Sequence, residues 1–224
     1  KDEIISCYEE VKELYNDKIL FSEDDYEKFA KYSVASPIKA MCLLVTMDCN
    51  LRCEYCFASQ GDYAMGRKVM SFETGKKALD FLLENSGDRQ NLEVDFFGGE
   101  PLMNWNVVKQ LVEYGRSKEK EYNKRFRFTV TTNGLLLDEE KMDFINKEMS
   151  NVVLSIDGRK DVNDRVRKRV DGSGCYDRII EKYKQLAEKR NYENYYVRGT
   201  FTKYNLDFSN DVFHLYDLGF DQIS

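Results

Sequence analysis

The sequence predicts an α/β protein, a partial barrel of parallel strands with helices outside, preceded by a short helical segment. Three observations carry this. From Lys39 onward, short apolar runs of strand length alternate with segments of helical period five times. The final "FDQIS" reads as a sixth strand beginning. Right-handed crossovers curl such βα repeats into an open or closed barrel, whose chemistry sits at the C-terminal ends of the strands.

The elements follow in order. Residues 2–17 place Ile4, Ile5, Tyr8, Val11, Leu14 and Tyr15 at helical spacing with an acidic outer face, and Cys7 is expected to pack among these neighbours. A second helix over "EDDYEKFAKY" takes Ser22 as its cap, and "SPIKA" breaks the pattern at Pro37. Residues 1–36 are too few for a domain alone, and 37–224 form the barrel. Strands are predicted over 39–46, 92–97, 126–132, 152–156 and 195–202. Between them lie helices over 72–86, with Ser71 as cap and Gly87 as stop, 104–117, 138–147, with Asp138 as cap, and 175–189; another follows over 209–219. "RVRKRV" (165–170) reads as a solvated loop, Asp157 as a turn-former before Gly158, and Cys175 as a small residue at a helix start. His214 reads as a surface or interfacial residue.

Composition excludes several classes. The formal charge is −6, with 33% charged residues of mixed sign, which argues against non-specific nucleic-acid binding. No apolar run reaches the ~18 residues of a membrane span, and the first residues carry no apolar signal core. A cytoplasmic location with reduced thiols is the expectation. The missing initiator Met and the strand-like ending suggest an internal piece of a longer protein.

The most informative stretch is "TMDCNLRCEYCFAS", which follows the first strand and holds Cys49, Cys53 and Cys56. Fully ligated iron–sulfur clusters use four cysteines. Three thiolates on one loop can each hold a separate iron of a 4Fe–4S cube, leaving the fourth iron open to a small molecule. Zinc is the rival reading; a structural zinc wants four ligands, and the single histidine lies far downstream.

After the second strand of the repeat comes "DFFGGEPLMNW". Gly98 and Gly99 bring the backbone close to whatever lies above, Glu100 adds a carboxylate, and Pro101 pre-sets the turn. Asn133 in "TTNG" and Ser155 in "LSIDG" close the next two strands. Arg198 lies within the predicted strand 195–202, where its guanidinium suits a carboxylate partner.

Cys49-x3-Cys53-x2-Cys56, with Tyr55 before the last cysteine, resembles the signature of radical S-adenosylmethionine (SAM) enzymes. "GGEP" after the second strand resembles the same family's GGE motif. Longer stretches, among them "SPIKAMCLLVTMDCNLRCEYCFAS" and "VRGTFTKYNLDFSNDVFHLYDLGF", are similar to the SPASM branch, and most to maturases of the cysteine-rich peptides called SCIFF (six cysteines in forty-five residues). The resemblance implies a 4Fe–4S cluster on Cys49, Cys53 and Cys56, with SAM chelated at the open iron and cleaved reductively to a 5′-deoxyadenosyl radical. It implies Tyr55 against adenine, acceptors for the SAM amine at Gly98, Gly99 and Glu100, and a ribose or carboxylate contact at Ser155; beside these, Asn133 can turn an amide toward the barrel top, and the SAM carboxylate is the preferred partner of the Arg198 guanidinium. It further implies a thioether cross-link in a cysteine-rich precursor peptide with a leader, and a one-electron reductant such as flavodoxin or ferredoxin. Residues 1–36 would be the tail of a leader-binding winged-helix module. Two auxiliary 4Fe–4S clusters would lie in a domain after Ser224. Alternatives are a sulfatase- or quinone-cofactor-maturating relative, or a zinc-binding adaptor without turnover.

Overall fold

The structure, a computed structural model, describes residues 2–24, 26–34 and 36–224. It divides into two units, Lys1–Pro37 and Ile38–Ser224.

The first unit holds α1 (Asp2–Asn16) and α2 (Tyr26–Val34). α1 has the expected spacing but buries no residue: Ile4 is 74% and Tyr8 66% exposed, and Cys7 is exposed rather than packed. So short a unit has too little apolar surface to build a core. α2 begins later than expected. Tyr26 donates its backbone N–H to Asp24 Oδ1 at 3.0 Å, so Asp24, not Ser22, supplies this acceptor.

In the second unit, strands β1 (Ala40–Thr46), β3 (Asn91–Gly98), β4 (Arg125–Thr132), β5 (Asn151–Ser155) and β7 (Tyr195–Arg198) form one sheet in the order β1-β3-β4-β5-β7. All its pairings are parallel. The sixth strand is begun by a parallel bridge from Val197 to Ile223. Period-two alternation decides the faces. On β3, Leu92, Val94 and Phe96 are fully buried against the helices, while Glu93, Asp95 and Phe97 look to the inner face. Each buried side chain of this size contributes about 1.5–3 kcal/mol.

Helices α3 (Phe72–Glu84), α4 (Trp105–Tyr122), α5 (Glu139–Glu148) and α7 (Tyr176–Lys189) cover the outer face. Ser71 accepts from Thr74 N and Asp138 from Lys141 N, as the sequence predicts. α4 runs past its predicted end to Asn123, which closes it in the left-handed conformation. α8 (Ser209–Asp217) follows β7. Here His214 Nε2 lies 2.7 Å from the Tyr176 hydroxyl.

Two differences matter for the site. "RVRKRV" is not a solvated loop. Helix α6 (Lys160–Val166) leads into strand β6 (Arg167–Arg169), which pairs antiparallel with β2 (Leu51–Cys53) inside the cysteine stretch. β7 ends at Arg198, so this arginine also stands at a strand's C-terminal end.

Candidate functional site

A cavity of about 330 Å³ opens at the C-terminal ends of the sheet strands. Cys49, Cys53 and Cys56 line it together with Tyr55, Gly98, Gly99, Glu100, Asn133, Ser155 and Arg198. All ten residues singled out from the sequence therefore border one space. Arg167, which sequence reasoning left in a loop, lines it too.

The cysteine loop is held at both ends. Leu51, Arg52 and Cys53 face Arg169, Lys168 and Arg167 across the β2–β6 pair, and Glu54 N bonds Val166 O at 2.9 Å. At its entry, Gly99 N donates to Thr46 O and Glu100 N to Asp48 O, each at 2.9 Å. These bonds seat the end of β3 under the loop. The glycines serve this contact: a Cβ on Gly98 would stand 2.2 Å from Thr46 O, and one on Gly99 2.1 Å from Asp48 O. Gly98 also has φ +133°, a region that side chains rarely adopt. Their residue type predicts a close approach to a ligand; what the glycines approach here is the backbone of Thr46 and Asp48, at the start of the cysteine stretch. Gly98 O accepts the Tyr63 hydroxyl at 3.2 Å.

Glu100 is 1% exposed. Its Oε1 accepts Thr132 Oγ1 at 2.7 Å and Leu102 N at 3.1 Å, and its Oε2 accepts Asn133 N at 2.8 Å. Burial pushes its pKa up, and these three donors work against that rise. Glu100 thus ties the end of β4 to the end of β3, with about one lone pair left over on a cavity-lining carboxylate. Asn133, placed by this bond, aims Nδ2 at Asn50 Oδ1 (2.8 Å) and Cys49 Sγ (3.6 Å). Cys49 Sγ also accepts Leu51 N at 3.4 Å.

Burial drives the thiols upward, Cys49 to about 12 and Cys53 to about 11. They are protonated at neutral pH without a metal, so a metal centre forming here displaces their protons. Cys49, Cys53 and Cys56 are the cysteines that line the cavity, and no histidine borders it. Three thiols on one cavity are a donor set that a multi-iron cluster can use, with each sulfur on a different iron.

Within the cysteine loop, Tyr55 donates its hydroxyl to Asp157 Oδ2 at 2.7 Å and accepts Arg167 Nη1 at 2.7 Å. Asp157 is buried and takes Thr200 N on Oδ1 at 3.0 Å. It is therefore the centre of a network, not only a turn-former. Burial pushes its pKa up, with Arg167 the main opposing influence. The Arg167 Nε is buried with no hydrogen-bond partner among the described residues, on a cation that stays charged. The signal for Arg167 in the sequence was its place in the only dense basic run after the fourth predicted strand. Arg198, by contrast, is exposed at the rim. Cys175, fully buried, accepts Asn163 Nδ2 at 3.3 Å and stays outside the lining.

Comparison with known proteins agrees with this geometry. The profile of the radical SAM superfamily matches residues 43–203. The chain is 25% identical over 201 residues to the radical SAM cyclopropyl synthase TigE of Paramaledivibacter caminithermalis, covering 84% of this chain and 41% of that protein. It is 28% identical over 159 residues to a cysteine-type anaerobic sulfatase-maturating enzyme of Clostridium novyi, covering 66% of this chain and 41% of the relative. It spans under half the length of these curated relatives. Its fold matches native anSMEcpe with bound AdoMet and Cp18Cys peptide at TM-score 0.72 and 23% identity, over 84% of this chain and 50% of the other. Cavity, cysteine loop and profile lead to one statement: this chain belongs to the radical SAM superfamily.

Proposed function

We propose that the chain is the catalytic core of a radical SAM peptide maturase that forms a thioether cross-link in a ribosomally made, cysteine-rich precursor peptide. The observation that carries the reading is the single cavity on which Cys49, Cys53 and Cys56 meet the Gly98–Gly99–Glu100 turn. A 4Fe–4S cluster with SAM supplies, when bound, the reductive cleavage of a sulfonium and a carbon radical able to take hydrogen from a peptide. Cys49, Cys53 and Cys56 would hold the cluster. The Gly99 carbonyl and the spare lone pair of Glu100 would accept from the SAM amine, which in a dry site needs such acceptors.

For the SAM carboxylate, Arg167 is a better partner than Arg198. Its guanidinium is fixed by Tyr55, its Nε is unpaired, and it is buried, whereas Arg198 is exposed. Tyr55 has its hydroxyl engaged with Asp157 and offers its ring to the cavity, in keeping with an adenine contact. Ser155, beside Arg198 in the β5–β7 pairing, would reach a ribose hydroxyl. Residues 1–36 would belong to a leader-binding module.

A sulfatase-maturating activity is the second reading, supported by the sequence and fold likeness to such enzymes. Both are tested by one experiment. The anaerobically reconstituted protein is reduced with SAM and a cysteine-rich peptide deuterated at candidate acceptor carbons. Deuterium in 5′-deoxyadenosine, with loss of two hydrogens from the peptide and a sulfur–carbon link, supports the thioether reading. Conversion of a lone cysteine to an aldehyde supports the second. Intact SAM under reduction rejects both.

A further inference from the structure

The three thiols of the cavity are not equally supported. Cys49 Sγ accepts Leu51 N at 3.4 Å and Asn133 Nδ2 at 3.6 Å. Among the described residues, no hydrogen bond reaches the Sγ of Cys53 or Cys56. Leu51 N is a backbone donor two residues along the same loop and belongs to the turn itself. Asn133 is different. It comes from the end of β4, 84 positions away in the chain, and its side chain meets the thiol in a site where it is only 6% exposed.

Other partners fix how this amide meets the sulfur. Glu100 Oε2 accepts Asn133 N at 2.8 Å and holds the backbone. Asn133 Oδ1 accepts Leu135 N at 3.1 Å. A backbone N–H can only donate, so this bond decides which end of the amide is oxygen and turns Nδ2 toward the cysteine loop. Nδ2 carries two hydrogens. One goes to Asn50 Oδ1 at 2.8 Å, and the other is left for Cys49 Sγ. The amide is therefore held at both ends by partners other than the sulfur, with a donor aimed at it. An N–H on a cysteine sulfur draws charge from it, and the bond strengthens when the sulfur gains charge. Hydrogen bonds to the sulfurs are among the factors that set the potential of an iron–sulfur cluster, beside net charge and solvent exposure.

We infer that Asn133 is a positioning residue that tunes the reduction potential of the cluster on Cys49, Cys53 and Cys56: its amide donates to the Cys49 thiolate and raises the potential, easing uptake of the electron. The amide turned toward the barrel top thus serves a cluster ligand. Glu100, which would accept the SAM amine, also seats Asn133, so one carboxylate orders the SAM side and the thiolate side of the site. The inference rests on the cluster reading of the three cysteines and is independent of which peptide is modified.

The test is an anaerobic redox titration of the reconstituted whole chain without SAM, with dithionite as the electron source and the reduced cluster read by electron paramagnetic resonance. Asn133→Ser keeps a short acceptor for Leu135 N, as serine does in such turns, and cannot reach Cys49. Its midpoint should fall, so that the reduced-to-oxidised ratio at a fixed potential drops about fivefold, or about 40 mV for one electron. Asn133→Ala, a second variant, should fall likewise. The sign separates this from a packing defect. Three thiolates leave the cube with a net negative charge that grows on reduction, so water entering a hole would favour the reduced form and raise the potential. Asn50→Ala removes the other acceptor of the amide, leaves the sulfur contact, and should not lower the midpoint. An unchanged or higher midpoint in Asn133→Ser, an equal drop in Asn50→Ala, or loss of the cluster from both Asn133 variants overturns the inference while the cluster reading stands. An unsubstituted chain that takes up no iron and sulfide overturns the cluster reading, and the inference with it.

Discussion

Replacing Arg167 by glutamine separates the electrostatics of the site from its packing. Asp157 and Arg167 have side-chain exposures of 0% and 7%, and Nη1 stands 3.9 Å from Oδ1, with Tyr55 bridging them. Removing one partner of a buried pair leaves an uncompensated charge, at a cost of about 3–5 kcal/mol. For a unit of this size that lowers Tm by on the order of 10 °C. The cost depends on pH. Asp157 has a folded pKa above its unfolded value, so it binds more protons folded, and its contribution to stability falls as pH rises above the unfolded value. Loss of Arg167 raises the folded pKa further and widens that window. Protonation caps the charge penalty at about 1.36 kcal/mol per pH unit above an unfolded pKa of about 3.9, hence about 1.5 kcal/mol at pH 5. The variant should therefore be markedly destabilised at pH 8 and only about half as much, or less, at pH 5. Adding Asp157→Asn should restore most of the loss, because the Tyr55 hydroxyl keeps a neutral acceptor. Urea unfolding followed by circular dichroism at both pH values reads this directly. Equal destabilisation at the two pH values, or no recovery in the double variant, would refute the buried-pair reasoning.

Other expectations concern the frame of the site. Gly99→Ala puts a methyl 2.1 Å from Asp48 O, a backbone atom, and should cost at least about 2 kcal/mol while displacing the cysteine loop; thermal melts and iron content after reconstitution report the two effects. Glu100→Ala strands Thr132 Oγ1 and the N–H groups of Leu102 and Asn133, with an expected loss of about 1–3 kcal/mol and weaker SAM binding by calorimetry; unchanged stability would show that these bonds are not formed. Cys53→Ala should abolish a stable cluster, whereas Cys42→Ala, on β1 and outside the cavity, should keep the full iron and sulfide content.

The βα rhythm was legible because the sheet strands are short apolar runs, with clear alternation on β3 and β4, and because α3 and α5 carry their own caps at Ser71 and Asp138. The cysteine loop and the Gly98–Glu100 turn were legible because spacing and residue type are local. Arg167 was not. Its function depends on a three-residue strand pairing with another three-residue strand more than a hundred positions earlier, and so short a ladder leaves no periodicity to read. The Tyr55–Asp157–Arg167 network has the same origin, since its members meet only when β6 folds back on the cysteine loop. The role of the glycines was half legible. Their need for close approach was evident, but that the neighbour is the backbone of Thr46 and Asp48 emerges only from the register of β1 on β3.

The central claim is that three cysteines hold a cluster with one corner open to SAM. Electron paramagnetic resonance of the reduced, reconstituted protein, recorded with and without SAM, tests it most directly. The expected result is about four irons per chain, a cluster signal that changes on SAM addition, and loss of that signal in Cys53→Ala. Uptake of zinc with no sulfide, or a cluster signal indifferent to SAM, would contradict it.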